Sequence, residues 1–265
     1  MSAISSNRAL TALLAGALAL SACSFASDDD AASRGESVAG GRRFAVTDFS
    51  AVTLAVPDRV IIRQGQGFSV VASGPADVLE RPRVSRDGAG ITIRRARSMS
   101  TSPTGIAVVT VTTPGLREIT LAGSGEVRAD RLSGDRMEAT LAGSGDMNVA
   151  AASGDALETG VAGSGQLAIA AIEAGSIEVA NAGSGRLTMS GSARRAEVTV
   201  AGTGGVDAGD LTVADAEIDV VGSGAVALKA TGTADVSVMG SGDVDVVGGA
   251  RCTISRRGSG RVNCR

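Results

Sequence analysis

The tripeptide Gly-Ser-Gly recurs through most of this sequence, and its spacing limits the folds that the chain can adopt. Copies begin at Gly123, Gly143, Gly163, Gly183, Gly222, Gly240 and Gly258, and Gly202-Thr203-Gly204 is a variant of the same motif. Successive copies lie 20, 20, 20, 19, 20, 18 and 18 residues apart. So regular a period indicates a repeat protein in which each unit packs against its neighbours.

The residues that flank each copy alternate between apolar and small or polar side chains. In most repeats an apolar residue stands four and two positions before the first glycine and four and six positions after it. Around Gly163, for example, Val161, Leu167 and Ile169 occupy three of these positions. A period of two is typical of a β-strand with one buried face. Each repeat is therefore predicted to contain a short strand, a tight glycine corner and a second short strand.

Stacking of these repeats predicts an all-β fold: a right-handed parallel β-helix (solenoid) with about 18–20 residues per coil and an irregular N-terminal β cap. Glycine suits the corners because it reaches positive φ and lets the next coil approach closely. Coils stack about 4.8 Å apart, so eight would extend roughly 35 Å. A β-propeller needs about twice this period, and the leucine-rich repeat consensus is absent.

The folded domain is predicted to span residues 43–265, with irregular opening coils over 43–118 and regular repeats over 119–265. The opening coils are predicted to contain strands at Val52–Val56, Val60–Arg63, Phe68–Ala72, Ile91–Arg94 and Ile106–Thr112. Phe44, Phe49 and Phe68 are expected to fill this end of the core. A separate small β domain over 43–118 is the alternative.

The first 42 residues are predicted to be an export signal and a tether. Residues 1–22 contain Arg8 and then a short apolar run, which is typical of a signal peptide. The run ends in Leu20-Ser21-Ala22-Cys23, which resembles a bacterial lipobox and implies a membrane anchor through lipid on Cys23. Ser24 favours the outer membrane, and residues 23–42 are predicted to be a flexible acidic and Gly/Ser-rich tether. An ordinary secretory signal is the alternative.

Composition excludes several classes of function. The chain has no His, Trp or Tyr, so imidazole bases and imidazole metal ligands are unavailable. A net charge of −3 provides no basic surface for nucleic acid. We assign no catalytic residue, no metal site and no cofactor beyond the covalent lipid on Cys23.

Acidic residues occupy the position five before the first glycine in seven repeats. This acidic ladder consists of Glu118, Glu138, Glu158, Glu178, Glu197, Glu217 and Asp235. Stacked carboxylates about 4.8 Å apart repel one another, so the ladder is a candidate contact for a divalent cation or a cationic partner. The alternative is a face that solubilises the protein and discourages lateral aggregation. Neighbouring carboxylates have about the separation of a retaining glycosidase pair, but seven equivalent acids mark no particular site, and we predict no enzyme.

The last repeats carry two cysteines and a cluster of arginines. Outside the cytoplasm Cys252 and Cys264 are expected to form a disulfide, with two buried thiols as the alternative. Arg256 lies two positions before the first glycine of its repeat, where most other repeats have an apolar residue. The cluster (Arg251, Arg256, Arg257, Arg261 and Arg265) either protects this end against stacking or forms a homo-oligomer contact.

Three stretches carry a resemblance to a known family: FAVTDFSAVTLAVPDRVIIRQG, SVVASGPADVLERPRVSRDGAGITIRR and IAVVTVTTPGLREITLAGSG. With the later glycine repeats they resemble the bacterial family "putative auto-transporter adhesin, head GIN domain", a DUF2807-type domain, over about residues 43–265. The resemblance implies a β-helical envelope protein and supplies no catalytic residues. Through the family label it favours an adhesin-like structural or interaction module, whose ligand is expected to be a protein or a polysaccharide. A periplasmic lipoprotein that maintains or senses the envelope is the alternative.

Overall fold

The computed structural model describes residues 33–96 and 105–265. The predicted signal peptide, the lipidation site Cys23 and residues 23–32 of the predicted tether lie outside these ranges. Among the described residues, no helix has the length and apolarity that are needed to cross a bilayer.

The opening part of the fold contains eight strands and one short helix. They are β1 (Glu36–Val38), β2 (Gly41–Phe44), β3 (Ala51–Ala55), β4 (Arg59–Gln64), β5 (Ser69–Ser73), α1 (Ala76–Leu79), β6 (Pro82–Asp87), β7 (Gly90–Arg95) and β8 (Val108–Thr113). The five strands predicted here correspond to β3, β4, β5, β7 and β8, within two residues at each end. The sequence patterns do not predict β1, β2, β6 or α1.

The predicted tether is too long at its C-terminal end. Residues 33–42 belong to the fold, because β1 and β2 form an antiparallel hairpin and β2 also pairs with β5. Phe44, at the end of β2, is 2% exposed. The Gly/Ser-rich composition of this segment conceals β2, whose second partner, β5, lies about 30 residues further along the chain.

The repeats form the remaining twelve strands. They are β9 (Glu118–Gly123), β10 (Glu126–Ala129), β11 (Leu132–Gly143), β12 (Asp146–Val149), β13 (Ala152–Gly163), β14 (Gln166–Gly183), β15 (Arg186–Gly202), β16 (Gly205–Gly222), β17 (Ala225–Gly240), β18 (Asp243–Val247), β19 (Arg251–Gly258) and β20 (Arg261–Cys264). Several predicted short strands are thus joined through the coil into strands of up to 18 residues.

Successive repeats stack as the parallel solenoid that the sequence predicts. β9 and β10 pair in parallel with β3 and β4, so the opening coils and the repeats form one continuous stack. Every later coil pairs in parallel with the one before it, with the corner glycines directly opposite each other, as at Gly143 and Gly163. The eight glycine corners are separated by seven repeats, and the solenoid has about seven turns.

Each coil also has a third side, which the apolar pattern around the glycine corners does not predict. Residues Leu132–Gly134, Ala152–Gly154 and Ile172–Ala174 pair in successive coils. Changes in repeat length are absorbed around this side: β14 and β15 lose one residue of register between Ile169 and Ile172, and β16 and β17 shift register both before Thr212 and after Val213. The other two sides of the coil therefore keep their register although the spacing varies.

The core is a narrow apolar column enclosed by the coils. Inward residues such as Leu141, Val161 and Leu187 are at most 2% exposed. At the corner Gly163 has φ +131°, and a Cβ there would lie 2.3 Å from the carbonyl oxygen of Gly143. Glycine is therefore required at the corners for both conformation and space. Phe49 fills the opening end as expected, but Phe68 is only partly buried.

Candidate functional site

The parallel register brings the predicted acidic ladder together on one outward face. Glu138 is the direct partner of Glu118 on one side and of Glu158 on the other. The same pairing continues through the remaining members, Glu178, Glu197, Glu217 and Asp235. All seven side chains point away from the core because they alternate with buried residues of the same strands. The ladder thus follows the stacking direction of the coils from β9 to β17.

Partial burial, together with repulsion between neighbouring carboxylates, raises the pKa of three members of the ladder. Partial burial, followed by repulsion from Glu138, raises the pKa of Glu118 above its ordinary value. The pKa of Glu158 is raised by partial burial and by the charges of Glu138 and Glu178. Partial burial also raises the pKa of Glu197, with further contributions from neighbouring carboxylates. Glu118, Glu158 and Glu197 therefore hold their protons more tightly than isolated carboxylates would.

Two arginines two residues before ladder positions offset part of this repulsion. Arg136 lowers the pKa of Glu158, and Arg195 lowers the pKa of Glu197, but repulsion and burial dominate in both cases. The ladder is a linear array, and within residues 33–96 and 105–265 no three acidic or cysteine side chains converge on a point that could hold a metal ion.

The last coil contains the other predicted site residues. Cys252 and Cys264 are joined by a disulfide, with their Cα atoms 6.5 Å apart. Arg256 donates from Nη1 to the carbonyl oxygen of Gly260 at 3.1 Å, so its side chain bridges the corner of its own coil. Ile254 on the same strand is 47% exposed.

Two arginines of the predicted cluster pair with acidic residues of the preceding coil. Arg261 contacts Asp243 at 3.1 Å and Arg265 contacts Asp245 at 3.3 Å. These ion pairs attach the last coil to β18, and their exposure limits the stability that each contributes. A homo-oligomer contact at this end stays a prediction.

A buried ion pair in the opening coils was missed by sequence reasoning. Asp58 is 2% exposed and accepts hydrogen bonds from Arg95 and from the backbone N–H of Ala107. Arg95 also donates to the carbonyl oxygen of Gly105 at 3.1 Å. The hydrogen bond to Asp58 raises the pKa of Arg95, although burial opposes this shift. The dipeptide Pro57-Asp58 is typical of a turn, and nothing in the surrounding sequence predicts that Asp58 pairs with Arg95, 37 residues away.

Comparison with known proteins is consistent with this architecture. A family model described as "Putative auto-transporter adhesin, head GIN domain" matches residues 48–250. One similar solved structure, a putative lipid binding protein from Parabacteroides distasonis ATCC 8503, is 24% identical, with a TM-score of 0.76 over 85% of this chain and 96% of its own. Another, a putative adhesin from Parabacteroides merdae ATCC 43184, is 16% identical, with a TM-score of 0.77 over 85% and 95%. No curated protein matches the sequence.

Proposed function

The chain belongs to the family of putative auto-transporter adhesins with a head GIN domain, and on this premise we propose that it is an adhesin-like interaction module of the cell envelope. Lipid on Cys23 attaches it to the outer membrane, and the solenoid presents its outward faces to a macromolecular partner. Stacked repeats commonly use such extended surfaces for binding.

The observation that carries this proposal is the acidic ladder on its continuous outward face. Its members stand in register from β9 to β17, with Thr140 and Thr199 among the residues of the adjacent outward column. Partial burial and then repulsion between neighbours raise the pKa of Glu158 and Glu197, and a partner with a row of positive charges would relieve the repulsion. The partner surface is therefore proposed to be cationic.

The anchor and its orientation can be tested on intact cells. We expect the wild-type chain to sediment with outer membranes, and Cys23→Ala to abolish this association. External protease should digest a surface-exposed chain in intact cells, with a known periplasmic protein as the internal control. Protection of the chain until the outer membrane is permeabilised would favour the alternative, a periplasmic lipoprotein that maintains or senses the envelope.

The partner-binding face can be tested with two variants of equal charge. Glu138→Gln, Glu158→Gln and Glu178→Gln combined remove three adjacent ladder charges, whereas Asp155→Asn, Glu173→Gln and Asp210→Asn remove three charges elsewhere. With a decalysine peptide at physiological salt, we expect the ladder variant to bind about tenfold more weakly than the control variant. An equal loss of affinity in both variants would show that only the net charge of the protein matters, and it would contradict binding at the ladder face.

Catalysis on polysaccharides is the remaining alternative. The ladder carboxylates are equivalent by register. Glu138 differs in accepting a hydrogen bond from the hydroxyl of Thr140 at 3.0 Å, and this contact alone does not pair it with a second carboxylate in a different role. Release of oligosaccharides from a polysaccharide panel by the purified chain, abolished by a single ladder substitution, would overturn the non-enzymatic proposal.

A further inference from the structure

A cleft of about 750 Å³ lies where the opening coils meet the first repeats. Its lining includes two aromatic rings, two guanidinium groups, two carboxylates and a hydroxyl, from Phe49, Phe68, Arg117, Arg136, Asp48, Asp135 and Ser133. The lining comes from the loop before β3, the loop before β5, the entry to β9 and the strand β11. The repeats and the irregular cap thus build this cleft together.

The aromatic part of the cleft is a fixed apolar surface. Phe49 is 2% exposed, and its ring centroid lies 5.1 Å from that of Phe68 at an interplanar angle of 55°. Phe68 is packed against the core on one side and remains partly exposed in the cleft on the other. A ring that is held in this way can stack against a flat, weakly polar ligand surface without first losing much conformational freedom.

The cationic part of the cleft consists of two exposed arginines. Within the described ranges, neither Arg117 nor Arg136 forms an ion pair or a side-chain hydrogen bond. The stem of Arg117 lies over Gly134, where a Cβ would approach its Cγ to 3.2 Å. Glycine at this position therefore leaves room for the arginine at the cleft wall. Guanidinium groups bind planar carboxylates through paired hydrogen bonds.

One edge of the cleft has a strained backbone that is held in place. Asp48 has φ 56°, in the left-handed region that non-glycine residues seldom occupy. The guanidinium of Arg86 donates to the carbonyl oxygens of Thr47 at 2.9 Å and of Asp48 at 3.1 Å. Conformations of this kind persist where surrounding contacts enforce them, and they are frequent at ligand-binding sites.

We propose that this cleft binds a carboxylated sugar, with one face of the sugar ring on Phe68 and the carboxylate between Arg117 and Arg136. Asp48 and Ser133 are placed to hydrogen-bond the hydroxyl groups. An acyl chain would need an enclosed apolar cavity, whereas this cleft is open and carries charges and hydroxyls on its walls. The cleft adjoins the acidic ladder, because Arg136 lines the cleft and also acts on Glu158, whereas Phe68, Arg117 and Asp48 lie outside the ladder.

Calorimetric titration of the full chain with trigalacturonate tests the proposal, with neutral galactotriose as the matched sugar. We expect Arg117→Gln and Arg136→Gln each to weaken trigalacturonate binding about tenfold. The control is Arg195→Gln, because Arg195 occupies the same outward column as Arg136 three coils further on, outside the cleft. We expect binding to this control within twofold of wild type, and galactotriose to bind at least tenfold more weakly than trigalacturonate.

Further titrations distinguish a carboxylated sugar from phosphate and from a fatty acid as the ligand of the cleft. Phe68→Leu keeps an apolar side chain without the aromatic face, and it should weaken trigalacturonate about fivefold while leaving inorganic phosphate binding unchanged. No heat from trigalacturonate at millimolar concentration, or equal losses in Arg136→Gln and Arg195→Gln, would overturn the proposal. Phosphate binding as tightly as trigalacturonate would show a simple anion site, and binding of decanoate alone would show a lipid site. Either outcome refutes the sugar assignment.

Discussion

Asp58 shows how one buried carboxylate can organise the irregular opening of a regular solenoid. Its side chain joins the start of β4 to Arg95 at the end of β7 and to the backbone of Ala107 just before β8. Its own carbonyl oxygen accepts the N–H of Glu126, the first residue of β10. A single residue therefore connects the cap to the first repeat corner, and removing its charge would leave Arg95 without compensation.

We expect Asp58→Ala to lower the free energy of unfolding by about 2–3 kcal/mol, because it leaves the partly exposed guanidinium of Arg95 and the N–H of Ala107 without their acceptor. Chemical denaturation followed by circular dichroism measures this loss. Asp87→Ala, which removes an exposed aspartate of the hairpin between β6 and β7, is the control and should change stability by less than about 0.5 kcal/mol. A loss below about 1 kcal/mol for Asp58→Ala would contradict the structural role assigned to the pair.

We expect the removal of one ladder carboxylate, that of Glu158, to stabilise the fold by an amount that depends on pH. The pKa of Glu158 is higher in the folded chain than in the unfolded chain, so folding favours its protonated form. Above the raised pKa the ionised group opposes folding, and this effect disappears as the pH falls toward the ordinary value of 4.5. We expect Glu158→Gln to stabilise the fold at pH 7 by about 0.5 kcal/mol, or roughly 1–2 °C in Tm.

Melting curves between pH 4 and pH 8 measure the difference between Glu158→Gln and wild type. The difference should be largest at neutral pH and low salt, and it should vanish near pH 4. Glu173→Gln is the control, because Glu173 pairs with Ser153 and Ser192 instead of with other acids. The same gain in Glu173→Gln would show that net charge, and not the ladder, is responsible.

At the scale of elements, the glycine corners set both the conformation and the spacing of the stack. We expect Gly163→Ala to destabilise the fold by roughly 2–4 kcal/mol, since it combines an unfavourable φ with overlap against the backbone of Gly143. Gly205→Ala is the matched control: its Cβ would lie 3.7 Å from the nearest atom, and Ala225 already occupies the equivalent position one coil later. Thermal melting compares the two, and equal Tm values would contradict a special requirement at the corner.

The sequence predicts those elements whose signal is local and repeated. The ladder, the corners and the alternating columns around Val161 all follow from a fixed spacing that the parallel register preserves. The third side was missed because its inward residues, such as Leu132 and Ile172, follow the variable part of each repeat. The strand β2 and the pair of Asp58 with Arg95 were missed for another reason: each depends on a partner distant in sequence, and neither partner belongs to the repeat.

At the scale of the whole molecule, the solenoid is close to one-dimensional, since each repeat coil pairs only with the coils on either side. Stability is then largely a sum of contacts between neighbours, and a local change need not spread along the stack. The coil of β19 and β20 pairs with β17 and β18 and carries the disulfide between Cys252 and Cys264. This coil is therefore the place to test how far the cooperativity of the fold extends.

We expect the double variant Cys252→Ala and Cys264→Ala to loosen this coil selectively. A disulfide that closes a loop with a sequence separation of 12 contributes about 3 kcal/mol, mainly by restricting the unfolded chain. In native-state hydrogen exchange, protection should fall over residues 251–264 and remain within about threefold of wild type over residues 132–200. Adding a reductant should reproduce this pattern in the wild-type chain and change nothing in the double variant. Loss of protection in every coil would instead show that the solenoid unfolds as one cooperative unit, against the nearest-neighbour description.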